Sequence, residues 1–201
     1  MFRSTGFMMS QRKSEQRTEQ KDVKKTERRT EIGVGIGMVE VTALTNIAYG
    51  SPLKYVDKKT KEILTEKYVK TGIIDDVSHI DFFIPRCLSP IANKMMPCIS
   101  GTAVLSAIKE MAGLAGKPLK YDFAVLGIYF DENDVNLLVR KITLVKGEQR
   151  TQTLAITEII TSGAHGVLLY EGQVPPELMV PKIIVGRMKS RGFGRIIIKW
   201  Q

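Results

Sequence analysis

The chain changes character abruptly near residue 32, and this change limits which part of it can fold. Between Ser10 and Glu31 the only aliphatic residue is Val23, and Lys, Arg, Glu, Gln and Thr fill most of the other positions. Such a segment cannot bury enough apolar surface to offset the entropy that it loses on ordering. We therefore predict a polar tail over residues 1–31, disordered or helical only with a partner, and a folded domain over residues 32–201.

The basic surplus of the chain favours a polyanionic partner. There are 30 Lys and Arg residues against 21 Asp and Glu residues, a net charge of +9. Nine of the basic residues and five of the acidic ones lie in the tail, which leaves +5 on the folded part. Cationic side chains displace the counterions that condense on phosphates, so the surplus is typical of nucleic-acid binding. A soluble protein that is merely basic, with a solvated tail, is the alternative.

The few cysteines and histidines exclude several classes of site. Cys87 and Cys98 form neither a Cys-x-x-Cys pair nor a disulfide framework, and with His79 and His165 they do not make a zinc site. We expect reduced, buried thiols, and surface or structural roles for both histidines. No apolar run approaches the roughly 20 residues of a membrane span, and no signal peptide precedes the domain. These features predict a cytoplasmic protein without membrane contact.

The pattern of apolar residues predicts an α+β domain. We expect a first strand over 38–49, a helix from Ser100 or Thr102 to about Leu114, and a short helix beginning at Pro175. Residues 151–162 fit either a helix or a strand. Further strands are predicted at Phe123–Phe130, Val135–Val145, Val167–Tyr170 and Arg195–Trp200, with Asp131 to Asp134 as a hairpin turn between the first two.

This order of elements is compatible with a ferredoxin-like βαββαβ sheet of the kind also found in RNA-recognition domains. Residues 53–97 stand apart, because they are polar and lysine-rich at first and contain prolines at 85, 90 and 97. We interpret them as a long insertion of irregular structure between the first strand and the first helix. Insertions of that length in a compact domain are usually functional or disordered.

The sharpest local motif is the basic glycine loop GRMKSRGFGR over residues 186–195. Its three glycines allow a tight backbone path whose amide groups can form an anion-binding concavity. Guanidinium groups grip phosphates through paired hydrogen bonds, and an aromatic ring can lie against a base or sugar. The predicted RNA-binding residues here are Gly186, Arg187, Lys189, Ser190, Arg191, Gly192, Phe193, Gly194 and Arg195. No Walker loop is present, so nucleotide hydrolysis has no support.

A second motif, CISGTAVL at residues 98–105, places small and hydroxyl-bearing residues at a predicted helix start. Free amide groups and the positive end of the helix dipole can bind phosphate there, although ordinary capping explains the same residues. The candidate contacts in this segment are Ser100, Gly101 and Thr102, with Lys109 about two turns further along the helix.

Together these motifs resemble the RAMP superfamily of CRISPR-associated proteins, specifically the repeated backbone subunits of type III effector complexes. The strand end LTNIAYGS, the helix start ISGTAVLSAIK and the loop GRMKSRGFGR are similar to the three motifs of that family, and the similarity runs through most of residues 36–199. The chain departs from the family pattern at Ser100 (usually proline), Leu105 (usually basic) and Ser106 (usually glycine). The family's second helix must also be shortened, to about residues 176–185.

The resemblance implies a subunit that stacks along a guide RNA and covers a short run of its nucleotides. A protruding thumb kinks guide and target in this family, and the insertion 53–97 occupies the place of that thumb. The resemblance also implies an aspartate there that supports metal-dependent cleavage of target RNA. Gly72-Ile73-Ile74-Asp75 matches the family pattern, so Asp75 is the candidate Mg²⁺ ligand and catalytic residue, with Asp76 and Asp57 as alternatives.

We therefore expect a guide-RNA-binding subunit of an antiviral effector ribonucleoprotein, and the resemblance adds metal-dependent cleavage of bound target RNA as a second activity to test. Its expected partners are guide RNA, complementary target RNA, other CRISPR effector subunits and copies of itself. One alternative is a stand-alone guide-processing endoribonuclease, whose chemistry would not require Mg²⁺. The other is a structural assembly subunit that does not contact RNA, which a salt-dependent RNA affinity would exclude.

Overall fold

The computed structural model describes residues 35–118 and 122–200, and the predicted tail 1–31 lies outside them. The described part is an α+β structure with two mostly antiparallel sheets and few helices. Helix α1 spans Lys58–Leu64 and helix α2 spans Gly101–Met111. The strands are β1 Ile36–Ala43, β2 Ser51–Pro52, β3 Ile80–Phe83, β4 Arg86–Leu88, β5 Met95–Ser100, β6 Phe123–Phe130, β7 Val135–Lys146, β8 Gln149–Ile160, β9 His165–Gly172, β10 Lys182–Ile184 and β11 Arg195–Ile198.

Seven strands form the large sheet, in the order β10-β11-β1-β9-β6-β5-β4. Its inner face packs against α2, whose buried Val104, Ala107 and Ile108 recur at helical spacing. β1 contributes Val41 to this core, since alternate residues of a strand point to the same face. None of the helices in the described residues is long and apolar enough to cross a bilayer.

The four central strands follow the order β11-β1-β9-β6, and all neighbours are antiparallel. The expected second helix does not form. Pro176–Leu178 is a single 3-10 turn, and Lys182–Ile184 is the edge strand β10. A ferredoxin-like βαββαβ arrangement is therefore not confirmed, because the element after β9 lacks the length and the helical spacing of apolar residues that a packed helix needs.

The insertion 53–97 is not irregular, and that expectation is wrong. Residues 58–69 form α1 and a π-helical turn that continues it, Thr65–Val69, and Asp57 caps α1 by accepting a hydrogen bond from the Thr60 amide at 2.9 Å. Five residues of the insertion form a second hydrophobic core with the small sheet β2-β3-β8-β7: Leu64, Tyr68, Val77, Ile80 and Phe83. The sequence pattern does not predict this core, because the apolar residues that form it are scattered among lysines.

The hairpin β7–β8 carries a long segment with exposed side chains. Its strands pair over twelve positions, from Val135 opposite Ile160 to Lys146 opposite Gln149. We call residues 139–154 the arm. Val139, Leu144, Val145 and Leu154 are each more than half exposed there. Residues 151–162, which fitted a helix or a strand, contain the last ten residues of β8.

Two further expectations are corrected by strand pairing. Asp131–Asp134 is not a hairpin turn, because β6 belongs to the large sheet and β7 to the small one. Cys87 and Cys98 are not separate thiols but a disulfide, with their Cα atoms 5.8 Å apart. Cys87 of β4 pairs with Met96 of β5, so Cys98 lies two residues along the same face, within reach.

A buried charge network joins the insertion to the root of the hairpin. Both Arg86 and Glu158 have fully buried side chains, and they form an ion pair through both carboxylate oxygens. Glu158 also accepts hydrogen bonds from the Tyr68 hydroxyl at 2.6 Å and the Ile84 amide at 2.9 Å. Glu132 accepts a hydrogen bond from Arg86 Nε and forms an ion pair with Lys67 at 3.1 Å. Each buried charge therefore has several partners, as burial in a low dielectric requires.

Candidate nucleic-acid interface

The glycine loop runs beside the segment that follows β1. The Arg187 amide donates to the Ala48 carbonyl at 2.6 Å, and the Gly194 amide donates to the Asn46 carbonyl at 2.9 Å. Gly186 has a φ of +83°, and a Cβ there would clash with the Ala48 carbonyl oxygen. This position therefore requires glycine on two grounds. The sequence motifs LTNIAYGS and GRMKSRGFGR are thus adjacent in space.

The loop turns through left-handed backbone conformations. Met188, although not glycine, has a φ of +58°, and Gly192 and Gly194 have φ of +86° and +85°. A 3-10 turn, Lys189–Arg191, lies between them. This path keeps the side chains of Arg187, Lys189, Arg191 and Arg195 exposed along the loop. Four cations in nine residues therefore face solvent from one short segment.

The start of α2 meets the same segment through Tyr49. The Tyr49 hydroxyl lies 2.8 Å from Ser100 Oγ and accepts a hydrogen bond from the Ser100 amide at 3.3 Å. Ser100 is the N-cap residue, but its side chain bonds Tyr49 and Thr102 Oγ1 (3.3 Å) rather than the backbone of the first turn. Gly101 packs so closely on the Val125 carbonyl that a Cβ would clash. The small residues of CISGTAVL therefore serve close packing as well as exposing the helix start.

A cleft of about 410 Å³ lies where the three motifs converge. Its walls come from Tyr49 and Gly50, from Ala103 and Ser106 of α2, and from Arg187 and Lys189 of the glycine loop. A second cleft of about 450 Å³ lies along α2, and Ser106 and Glu110 line both. The arrangement combines backbone amides, hydroxyl groups and cations at an open groove. These are the groups that bind a phosphodiester backbone without reading its bases.

Comparison with known proteins gives distant matches among solved structures and no match in sequence. No protein-family model matches the chain, and no curated protein matches it either. A chain in a solved structure is similar. That structure is described as "Cryo-EM structure of the Type III-B Cmr-beta bound to cognate target RNA". The match has 9% identity and a TM-score of 0.48, and it covers 83% of this chain and 97% of that one. A likeness of this strength does not carry the ligand of that complex to this chain.

The predicted RNA-binding residues fall into three groups. Gly186, Arg187 and Lys189 line the first cleft, and Ser100 and Gly101 lie at the helix start beside it. Ser190 and Arg191 are exposed in the 3-10 turn; after it Gly192 and Phe193 are half-buried, Gly194 is buried and Arg195 is exposed. Thr102 and Lys109 line the second cleft, and the Lys109 ammonium group is bonded to the Lys117 carbonyl. Lys109 thus lines a cleft to which the glycine loop contributes no lining residue.

The three candidate acidic residues lie in the insertion and do not form a cluster. Asp57 and Asp76 each use both carboxylate oxygens as caps, on Thr60 and on Ser78. Hydrogen bonds from the side chain and the backbone of Thr60 lower the pKa of Asp57, and those from Ser78 lower the pKa of Asp76. Asp75 is exposed. Within residues 35–118 and 122–200, no group of three His, Cys, Asp or Glu residues is arranged to hold a metal ion.

The sequence analysis did not predict the contacts of three residues at this interface. Tyr49 was part of a motif but was not predicted to bond Ser100. Glu110 is the helix residue whose carboxylate lies 3.7 Å from Lys189 Nζ. Phe82 belongs to none of the sequence motifs, yet its ring contacts the guanidinium group of Arg187.

Proposed function

We propose that this chain binds the sugar–phosphate backbone of a guide RNA as a subunit of an RNA-guided effector ribonucleoprotein. The observation that carries the proposal is the convergence of three separate motifs on one open cleft. The strand end lines it with Tyr49, the helix start with Ala103 and the basic loop with Arg187, and Ser100 bonds the Tyr49 hydroxyl beside it. A basic turn needed only for folding would not require hydroxyl groups and a helix start to meet its cations.

The chemistry of the cleft favours backbone contact over base readout. Arg187, Lys189, Arg191 and Arg195 supply charge that displaces counterions from phosphates. The uncapped first turn of α2 adds amide donors and the positive end of its dipole. In such a subunit, pairing between guide and target supplies sequence recognition, and the protein reads backbone shape.

We also propose that β1, α2, β6, β9 and β11 form a ferredoxin-like core from which the second helix has been lost. The strand order β11-β1-β9-β6 with antiparallel neighbours supports this proposal. We assign to the arm, rather than to the insertion, the role of reaching beyond the core toward target RNA or a neighbouring subunit. Both of its strand segments carry exposed side chains, which supports this assignment.

Copurification from the native host tests this function. A tagged chain is expected to retain discrete repeat-derived RNAs together with other effector subunits, and Lys189→Ala and Arg191→Ala variants should retain less RNA. With a single-stranded RNA in vitro, each variant should lower the dependence of log affinity on log salt by about 0.7. A chain that purifies without RNA and without such partners would contradict the proposal and favour a structural subunit.

Cleavage of bound target RNA is a separate part of the proposal, and it depends on Asp75. Of the three candidate carboxylates only Asp75 is not engaged in a cap, and Mg²⁺ in nucleic-acid sites is commonly held by one or two carboxylates together with substrate phosphates. When bound, the ion would polarise the scissile phosphate. Asp75→Asn should abolish Mg²⁺-dependent cleavage and leave guide retention intact, whereas Asp76→Asn should preserve both. Cleavage that persists without Mg²⁺ would instead favour the guide-processing class of nuclease.

A further inference from the structure

The four cations of the glycine loop are not held equally. Arg191 and Arg195 make no side-chain hydrogen bond or ion pair within the described residues, and Lys189 has one exposed ion pair, with Glu110. Arg187 is held twice. Its guanidinium carbon lies 4.2 Å above the centre of the Phe82 ring, and its Nε donates to the Gly50 carbonyl at 3.3 Å.

These two contacts fix the plane of the guanidinium group and leave its outer edge unused. The backbone of Arg187 is itself fixed by pairing with Ala48. Nε is engaged with Gly50, while the two terminal nitrogens have no hydrogen-bond partner among the described residues. Those nitrogens form the fork that matches two phosphate oxygens. The Arg187 side chain also lines the cleft, so the fork is available to a ligand there.

Phe82 comes from an element that is itself rigid. It belongs to β3, where it pairs with Pro52 of β2 and Thr157 of β8 in the small sheet. The adjacent Phe83 is buried in the core of the insertion. The insertion thus presents one half-buried aromatic face to the glycine loop, and the cation lies on that face, as the ring quadrupole favours.

We propose that Phe82 is a positioning residue that holds the Arg187 fork ready for a phosphodiester group of single-stranded RNA. This inference rests on the proposed RNA-binding function. A free arginine side chain loses much rotational freedom when it binds a phosphate, and a stacked one has already lost most of it. The insertion therefore contributes to RNA affinity through Arg187, without touching the RNA itself.

The test compares RNA affinity in full-length Phe82→Leu, Phe82→Tyr and Arg187→Ala variants, measured by fluorescence anisotropy with a labelled single-stranded RNA at several salt concentrations. Phe82→Leu should lower affinity about fivefold without changing the salt dependence, because the charge remains. Phe82→Tyr keeps the aromatic face and should bind within about twofold of the natural chain. Arg187→Ala should lower affinity and also reduce the salt dependence by about 0.7. In the Arg187→Ala background, Phe82→Leu should have no further effect.

Tyr55→Leu is the matched control, since it removes another ring that faces a cation, Lys54 at 4.9 Å, and neither residue lines the cleft. It should not change RNA affinity. Equal losses from Phe82→Leu with and without Arg187 would overturn the positioning role and indicate a general effect on folding. A loss in Phe82→Tyr as large as that in Phe82→Leu would overturn it too.

Arginine side-chain NMR separates failure of this inference from failure of the proposed function. The Arg187 Nε–H signal should be shifted by the Phe82 ring and protected from exchange in the natural chain and in Phe82→Tyr, but not in Phe82→Leu. If the natural chain binds no RNA at any salt concentration, the proposed function fails and the phosphate role of Arg187 fails with it. If RNA binds but the Arg187 signal is the same in all three proteins, only the positioning role is overturned.

Discussion

Glu110 is a carboxylate placed beside a surface that we propose binds a polyanion. It lines both clefts along α2, and its ion pair with Lys189 is largely exposed, with a nitrogen–oxygen distance of 3.7 Å. Exposed pairs of this kind contribute little to stability. We therefore expect Glu110 to act mainly on RNA binding, because its carboxylate repels phosphates and is paired with Lys189, which could otherwise contact a phosphate.

Glu110→Gln should accordingly raise the affinity for single-stranded RNA about threefold at moderate salt and make the affinity more salt-dependent. Anisotropy titrations over a range of salt concentrations measure both effects. The matched control is Glu66→Gln, which removes the same charge from an exposed position in the π-helical turn. An equal gain in both variants would indicate a general effect of net charge and would contradict a local role for Glu110.

The ionisation of Tyr68 is opposed both by burial and by a neighbouring carboxylate. Burial and then the neighbouring Glu158 carboxylate raise the pKa of Tyr68 far above its ordinary value. The unfolded chain releases this proton near pH 10, whereas the folded chain keeps it. Above about pH 10 the unfolded state thus binds fewer protons, and folding stability must fall as the pH rises.

The free energy of unfolding should therefore fall above pH 10 by up to about 1.4 kcal/mol per pH unit on account of Tyr68. Tyr68→Phe should reduce this alkaline loss, although it costs about 1–3 kcal/mol at neutral pH by removing a donor to buried Glu158. Urea unfolding between pH 8 and 11 measures both. Parallel pH profiles for the two proteins would show that Tyr68 ionises in the folded state.

At the scale of elements, the hairpin β7–β8 divides into a buried root and an exposed arm. Ala155 and the four residues Thr157 to Ile160 of β8 are buried, whereas its first six residues are exposed. A two-stranded hairpin alone is marginally stable in water, so the arm depends on the root for its order. The arm therefore contributes little to the stability of the sheet that carries it.

Replacing residues 143–152 with Asn-Gly, a favoured two-residue turn, should leave the melting temperature within a few degrees of that of the natural chain. Ile142 and Thr153 face each other across the hairpin, so the shortened strands keep their pairing. Differential scanning calorimetry measures the change. A melting temperature lower by ten degrees or more would mean that the arm packs against a part of the fold and is not free.

Elements with strong local patterns were predicted well, and those held by distant contacts were not. Phe123–Phe130 was predicted at its observed bounds, because a continuous apolar run between turn residues is a clear strand signal. β3 was missed, because its partner β8 lies far along the chain, with Ile156 opposite Ile80. The second helix was overpredicted at Pro175, where proline suits a 3-10 turn as well as a helix.

The candidate site shows the same division between local and distant signals. The glycine loop and the helix start carry their own chemistry, so the sequence indicated both, and the structure places them around one cleft. The Phe82–Arg187 contact joins residues 105 positions apart, and nothing in the sequence near either residue indicates the other. The pairing of Cys87 with Cys98 likewise followed only once β4 and β5 were known to be neighbours.

At the scale of the whole molecule, the described fold draws its core entirely from residues after 38. The first buried core residue is Val39, and the cations that line or flank the first cleft lie between Arg187 and Arg195. The predicted tail contains nine further basic residues. Folding and cleft binding are thus expected to be independent of residues 1–31.

Deleting residues 1–31 should leave the melting temperature unchanged within about two degrees and should preserve binding of single-stranded RNA. The remaining chain still carries a net charge of +5. Thermal unfolding and anisotropy on the shortened chain measure the two properties. An insoluble product, or the loss of all RNA binding, would contradict the predicted boundary and make the tail part of the functional unit.

The buried ion pair of Arg86 with Glu158 also sets the reach of the arm. Glu158 also accepts hydrogen bonds from Tyr68 and Ile84, so β8 cannot slip along β7 without taking the carboxylate away from these buried donors. The position of the root is thereby locked, while the tip beyond it is unconstrained. Each added pair of residues would lengthen the arm by about 3.4 Å and invert the faces beyond it, and two pairs would restore them. The distance from the buried root to the tip of the arm is therefore set by the number of residues that separate the tip from the fixed position of Glu158.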